Sequence, residues 1–261
     1  MPENPIGGEQ LRVRRPALAG IAGLAATAVL TGLMQAAPAF ADTSPPDPKP
    51  SGSPSTDPPT RVPDPGKRLG KGWKTSADRA VTTAADSGGL KVLVADSKDA
   101  YRWRTVATLA EPGMPADSWI GNSCVMDRDH AAVVYAPRTF TNKPDLMQGG
   151  AFTAVVDLKS GRVTKLPFTS SLAYFDPSCN PETRTAAFTA FRDSKSRLLT
   201  VDTNGRTTTD TTVTGQVTSA VPTKNGLVAA HGHHLVQVDP ADGKLRRLAA
   251  AGGVPFDIRP T

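Results

Sequence analysis

The stretch "AFTAVVDLKSGRVTKLP" (residues 151–167) reads as two strands around a short turn. Apolar residues alternate up to Asp157, a polar turn closes on Gly161, and a second alternating run follows Arg162. This is hairpin chemistry: the aspartate accepts hydrogen bonds from turn amides, and the glycine takes the positive φ of the bend. The same grammar returns in "SRLLTVDTNGRTTTDTTV" (residues 196–213) through Asp202 and Gly205, and in "HHLVQVDPADGKLRRLA" (residues 233–249) through Asp239 and Gly243. A degenerate copy, "LKVLVADSKDAYRWRTVATL" (residues 90–109), opens a longer connection at Asp96.

A second hairpin precedes each complete copy: "NSCVMDRDHAAVVYA" (122–136), "DPSCNPETRTAAFTAFR" (176–192) and "VPTKNGLVAAHGH" (221–233). The repeating unit is therefore four strands, and its aspartate returns about every forty residues, the length of one propeller blade. An all-β fold follows, with about four blades, each a four-stranded antiparallel sheet in a β-propeller-like array. The tail "VPFDIRPT" repeats "LAYFDPS", with Phe256 and Asp257 standing where Phe175 and Asp176 stood. Another repeat is thus expected to begin as the chain stops, which predicts a propeller that is truncated or open.

Residues 1–41 read as a signal peptide: Arg12, Arg14 and Arg15 lead an Ala/Gly-rich apolar stretch that ends in Ala39-Phe40-Ala41. The apolar stretch approaches spanning length, but the cleavage triplet favours removal, so no membrane span is expected to remain. Residues 42–71 are rich in proline, serine and charge, have little to bury, and read as a disordered linker. The folded domain is placed at residues 72–261. The formal net charge of +6 comes from basic residues scattered among acidic ones. Without a Lys/Arg stripe interleaved with aromatics, the chain does not read as a nucleic-acid binder.

Few residues invite chemistry. Cys124 and Cys179 occupy equivalent places in neighbouring repeats, and an even cysteine count in an exported chain predicts a disulfide rather than a nucleophile. His130, the nearest base to Cys124, lies across a turn from it. Ser123 lacks the Gly-x-Ser-x-Gly elbow. His231 and His233 would share a strand face and hold a metal, but Gly232 between them marks a hairpin turn, so neither metal nor other cofactor is expected. The threonine run "RTTTDTTVTGQVTSA" (206–220) reads as an exposed edge strand. The insertion at residues 137–150 exceeds a normal hairpin loop and offers Arg138, Phe140, Asn142, Lys143 and Asp145 as a binding set. Asp176 and Asp257 are the one carboxylate pair available to a glycosidase-type mechanism, although their recurrence in register favours a structural role.

The stretches "WIGNSCV", "VVYAPRTFTNKPDL", "GGAFTAVVDLKSGRVTKLP" and "SSLAYFDPSC" resemble the N-terminal region of long secreted actinobacterial proteins. Those proteins carry a propeller-like region first and, in some cases, a golvesin or xanthan-lyase-like C-terminal domain. The resemblance implies a propeller and an extracellular or cell-wall location, and it carries no catalytic residue. The expected function is an exported binding or scaffold module whose partner is an extracellular protein or a polysaccharide. The alternative is a propeller-type polysaccharide hydrolase or lyase, or the non-catalytic front part of one.

Overall fold

Strand β5 (His130–Pro137) is buried along almost its whole length, and this organises everything around it. Its side chains alternate between two cores. Ala131, Val133 and Tyr135 face one, and Ala132, Val134 and Ala136 face the other. A strand buried on both faces needs a sheet on each side, which a stack of blades supplies.

The computed structural model describes residues 61–259 except 115 and 257. The stretch read as a signal peptide, and most of the stretch read as a linker, therefore lie outside the described residues. Within residues 61–71, α1 (Pro65–Arg68) forms one short turn, and the Val62 amide donates to the Ala100 carbonyl at 2.8 Å. Among the described residues no helix is long and apolar enough to cross a membrane.

Four antiparallel meanders follow in chain order. The first holds β1 (Arg79–Ala84), β2 (Leu90–Asp96) and β3 (Arg104–Leu109). The second runs β4 (Trp119–Asp127), β5, β6 (Ala151–Asp157) and β7 (Val163–Ser170). The third is β8 (Ser178–Asn180), β9 (Thr185–Arg192), β10 (Lys195–Asp202) and β11 (Thr207–Thr214). The fourth is β12 (Val217–Thr223), β13 (Gly226–His231), β14 (His234–Val238) and β15 (Leu245–Ala250).

The four-stranded repeat is borne out in three sheets, and the degenerate first copy forms a sheet of three described strands, an incomplete blade. Register identifies the strand it lacks. Asp157 pairs with His130 at the start of β5, and Asp202 with Thr185 at the start of β9. Asp96 pairs in the same way with Arg79, so β1 is the second strand of its blade and the innermost is missing among the described residues. The threonine run also divides. Residues 207–214 are the outermost strand of the third sheet, and 217–220 open the innermost strand of the fourth. Gly215, at φ 90°, makes the break.

Neighbouring sheets pack face to face in the propeller manner, but the array is not closed. One core lies between the first and second sheets, with Val94, Leu109, Trp119 and Leu158. A second lies between the second and third, with Val134, Val155, Phe188 and Val201. A third joins Leu198 and Val213 to Leu227 and Val236. Side-chain bonds stitch the inner strands across these seams. Asn122 Nδ2 donates to the Ala173 carbonyl at 3.0 Å, and Asn180 Nδ2 to the Pro222 carbonyl at 2.9 Å.

The repeat turns behave as their chemistry requires. Asp157 Oδ1 accepts the amides of Lys159 and Ser160, each at 2.9 Å, and Asp202 Oδ1 those of Asn204 and Arg206, also at 2.9 Å. Asp239 Oδ1 accepts the Ala241 amide at 2.9 Å. The glycines at 161, 205 and 243 have φ of 77°, 79° and 70°. They also dock onto the preceding blade. A Cβ on Gly161 would stand 2.3 Å from the Val106 carbonyl oxygen, and one on Gly243 2.3 Å from that of Thr212. At Gly205 the obstacle is softer, the methyls of Leu166 and Thr164 at 3.0 Å.

Cys124 of β4 and Cys179 of β8 form a disulfide with Cα atoms 5.5 Å apart, joining the innermost strands of the second and third sheets. The bridge spans a sequence separation of 55. A loop of that length is expected to be stabilised by about 4 kcal/mol through the unfolded state.

Two stability predictions follow from these contacts. In denaturant titrations Gly161→Ala and Gly243→Ala each lose about 2 kcal/mol or more, since neither the positive φ nor the carbonyl contact can be relieved. Gly205→Ala loses less, because side-chain methyls can move. Replacing both cysteines by serine lowers stability by about 2–4 kcal/mol, and a midpoint unchanged from the oxidised protein would rule out the staple.

Candidate functional site

The innermost strands of the second, third and fourth sheets border a cavity of about 700 Å³. β4 contributes Ser123, Cys124 and Val125, β8 contributes Ser178 and Cys179, and β12 contributes Ser219 and Val221. The segment before β8 adds Tyr174 and Phe175, and the chain's tail adds Phe256 and Ile258. Tyr174 is 72% exposed and Phe256 69%, the two most exposed large apolar side chains among the described residues, and both border this cavity. The volume and the mostly apolar lining are those of a ligand site. The disulfide and the repeated phenylalanines, Phe175 and Phe256, are legible in the sequence, but that they border one groove is not.

Asp176 sits just behind the groove wall and is 0% exposed. β8 is only three residues long, and its pairing with β9 starts at Ser178 opposite Ala187. Thr189 lies further along β9, beyond the reach of that short ladder. The Asp176 side chain stands in for the absent strand: Oδ1 accepts the Thr189 amide at 3.1 Å, and Oδ2 accepts the Thr189 hydroxyl. Burial pushes the Asp176 carboxyl up to about 8, against the hydrogen bonds from Thr189 and Ser171 that pull it down. It is a clamp on β9 and presents no oxygen to solvent. Its proposed partner, Asp257, lies outside the described residues.

The other sequence candidates are placed as follows. Residues 138–149 fold as a 3₁₀ turn (Arg138–Asn142) and α2 (Pro144–Gly149). Arg138 pairs with Asp117, which holds the aspartate carboxyl below its usual range. Phe140 turns inward, its ring centroid 6.3 Å from that of Phe152. Asn142, Lys143 and Asp145 remain exposed. His130 Nδ1 lies 2.8 Å from Asp127 Oδ1, whose other oxygen pairs with Arg184 of the next blade at 2.7 Å. His231 and His233 flank the turn at Gly232, and His231 pairs with His234 across the hairpin. Among the described residues no three His, Cys, Asp or Glu side chains converge as a metal-holding group.

No protein-family description matches the chain, and no curated protein matches it by sequence. Similar folds occur among solved structures of β-propeller type. TolB from Acinetobacter baumannii aligns at 16% identity and TM-score 0.44 over 67% of this chain and 42% of that one. A chain of a nidogen/laminin complex aligns at 14% identity and TM-score 0.39, over 68% and 64% respectively. A structure from a study of two prolyl endopeptidases aligns at 10% identity and TM-score 0.41, over 69% and 31%. The chain thus spans less than two thirds of the length of each of these proteins.

The buried carboxyl makes a signed prediction. Between the ordinary aspartate value of 3.8 and the folded value of about 8, the folded chain holds a proton at Asp176 that the unfolded chain has lost. This contribution to stability is therefore complete in acid and falls as pH rises through that window, by on the order of 1 kcal/mol per unit, then levels off. Urea titrations from pH 5 to 9 are expected to show the decline. Asp176→Asn should flatten it, and an equal slope in both proteins would remove the assignment.

Proposed function

We propose that this chain is an exported, non-catalytic β-propeller-type binding module that holds an extracellular protein or polysaccharide in the groove between its innermost strands. The observation that carries this reading is the concentration of exposed aromatic and apolar surface, Tyr174, Phe256 and Val125, around a cavity of about 700 Å³. Such surface is costly to leave in water and rarely collects around one concavity without an occupant. The disulfide beneath it fixes two of the three contributing strands, so the groove is pre-organised.

Export is supported by the reading of residues 1–41 as a cleaved signal, by the spacer at 42–71, and by a bridge that suits an oxidising compartment. The folded part is taken as residues 72–261. We place the chain in the front part of a longer secreted or cell-wall protein of the actinobacterial kind that it resembles. Asn142, Lys143 and Asp145 form a second, polar contact surface. Against the hydrolase or lyase reading, Asp176 is buried behind the groove wall, and none of the described residues lining the groove is Asp or Glu.

The test is saturable binding of the dye anilinonaphthalene sulfonate to the folded chain at one site. Tyr174→Ser combined with Val125→Ser is expected to weaken it about tenfold, whereas Lys98→Ala, at an exposed position of the first sheet's connection, leaves it unchanged. Dye affinity indifferent to the double substitution, with the circular dichroism spectrum intact, would move the site elsewhere.

A further inference from the structure

Ser219 combines two local anomalies with a register shift of the kind that five other strand pairings also carry. It lies in β12 at a register shift between Thr218 and Val221. Its φ is 52°, and among the described residues it is the only non-glycine with positive φ inside a strand; the others lie in turns, bends or connections. Its Oγ is the one buried side-chain N or O atom among the described residues without a hydrogen-bond partner, in a residue only 3% exposed. A left-handed backbone disfavours any side chain with a Cβ, and an orphaned hydroxyl forfeits its hydration. Glycine would relieve both conditions and alanine the second. Bulges of this kind characteristically re-aim a side chain beside a site, and backbone outliers gather at ligand clamps. Ser219 lines the groove beside Cys124, Cys179 and Tyr174.

We infer that Ser219 is the polar anchor of a peptide subsite, and that the groove takes an extended, uncharged polypeptide segment bearing a large apolar side chain. This rests on the groove being the binding site. The described lining offers serine hydroxyls, one cation and no carboxylate or amide side chain, whereas sugar recognition relies on such planar groups to pair with vicinal hydroxyls. A peptide asks for less: one backbone amide donates to Ser219 Oγ, and one apolar side chain enters among Tyr174, Phe175 and Val221. The chain supplies its own precedent. Residues 254–256 and 258–259 are neither helix nor strand, and Phe256 and Ile258 border this same cavity. Ser219 Oγ is itself buried, so engaging the peptide amide requires its χ1 to turn toward the groove.

The experiment is calorimetric titration of the full chain with acetyl-Val-Pro-Phe-Asn-Ile-Gln-amide, an uncharged version of residues 254–259, with thermal melting of the same proteins. The wild type is expected to bind saturably. Ser219→Gly and Ser219→Ala should weaken binding about tenfold, the loss of one hydrogen bond, while Ser219→Gly melts higher than wild type. Variants that bind the peptide as the wild type does overturn the anchor. A lower melting point for Ser219→Gly with unchanged binding makes the residue structural. Binding of a neutral glucan hexasaccharide in place of the peptide overturns the ligand class. If the dye binds the groove and the peptide does not, this inference falls and the binding module stands; if dye binding also ignores the groove, both fall.

Discussion

The structure depends on strands that are apolar on both faces. β5 has its side chains buried on alternate sides, toward the first sheet and toward the third. β9 repeats this, sending Phe188 to one core and Ala187 to the next. A sheet of this kind cannot stand alone in water, so each blade is completed only by its neighbours. Stability is shared along the array, and the links between adjacent blades govern cooperativity.

Those links fall at two radii. Near the inner edge the disulfide and Asn180 join consecutive innermost strands, and Asn122 ties β4 to the segment that leads into β8. Toward the outer edge the turn glycines press onto the preceding blade, at Val106 and Thr212 through backbone carbonyls. Asp127 adds a cross-blade ion pair to Arg184 while also holding its own hairpin through the Asp129 amide. The same residue types thus close a local turn and fasten one repeat to the next, which couples hairpin chemistry to tertiary packing.

The groove shows how irregularity gathers where the repeat is relaxed. β8 has shrunk to three residues, and a buried aspartate completes its hydrogen bonding. β12 carries a shift in register with a left-handed serine. Both departures lie at the cavity bordered by Tyr174 and Phe256, while the register shifts of the outer hairpins recur from blade to blade. A repeated scaffold whose special backbone features, the shortened β8 and the left-handed serine, meet at one concavity suits a binding fold.

Hairpins, blade length, the pairing of Cys124 with Cys179 and the histidine turn were legible in the sequence, because alternation, turn aspartates and glycines act within a few residues of one another. Helical order in the insertion and the inward turn of Phe140 were not, since they depend on Phe152 and the neighbouring core. Tertiary structure alone decided that Gly161 must admit the Val106 carbonyl, that Asp176 replaces a stretch of ladder, and that Ser219 keeps an unpartnered hydroxyl at the groove. Each of these rests on contacts between distant residues, whose distances are set by how blades stack and not by any local pattern.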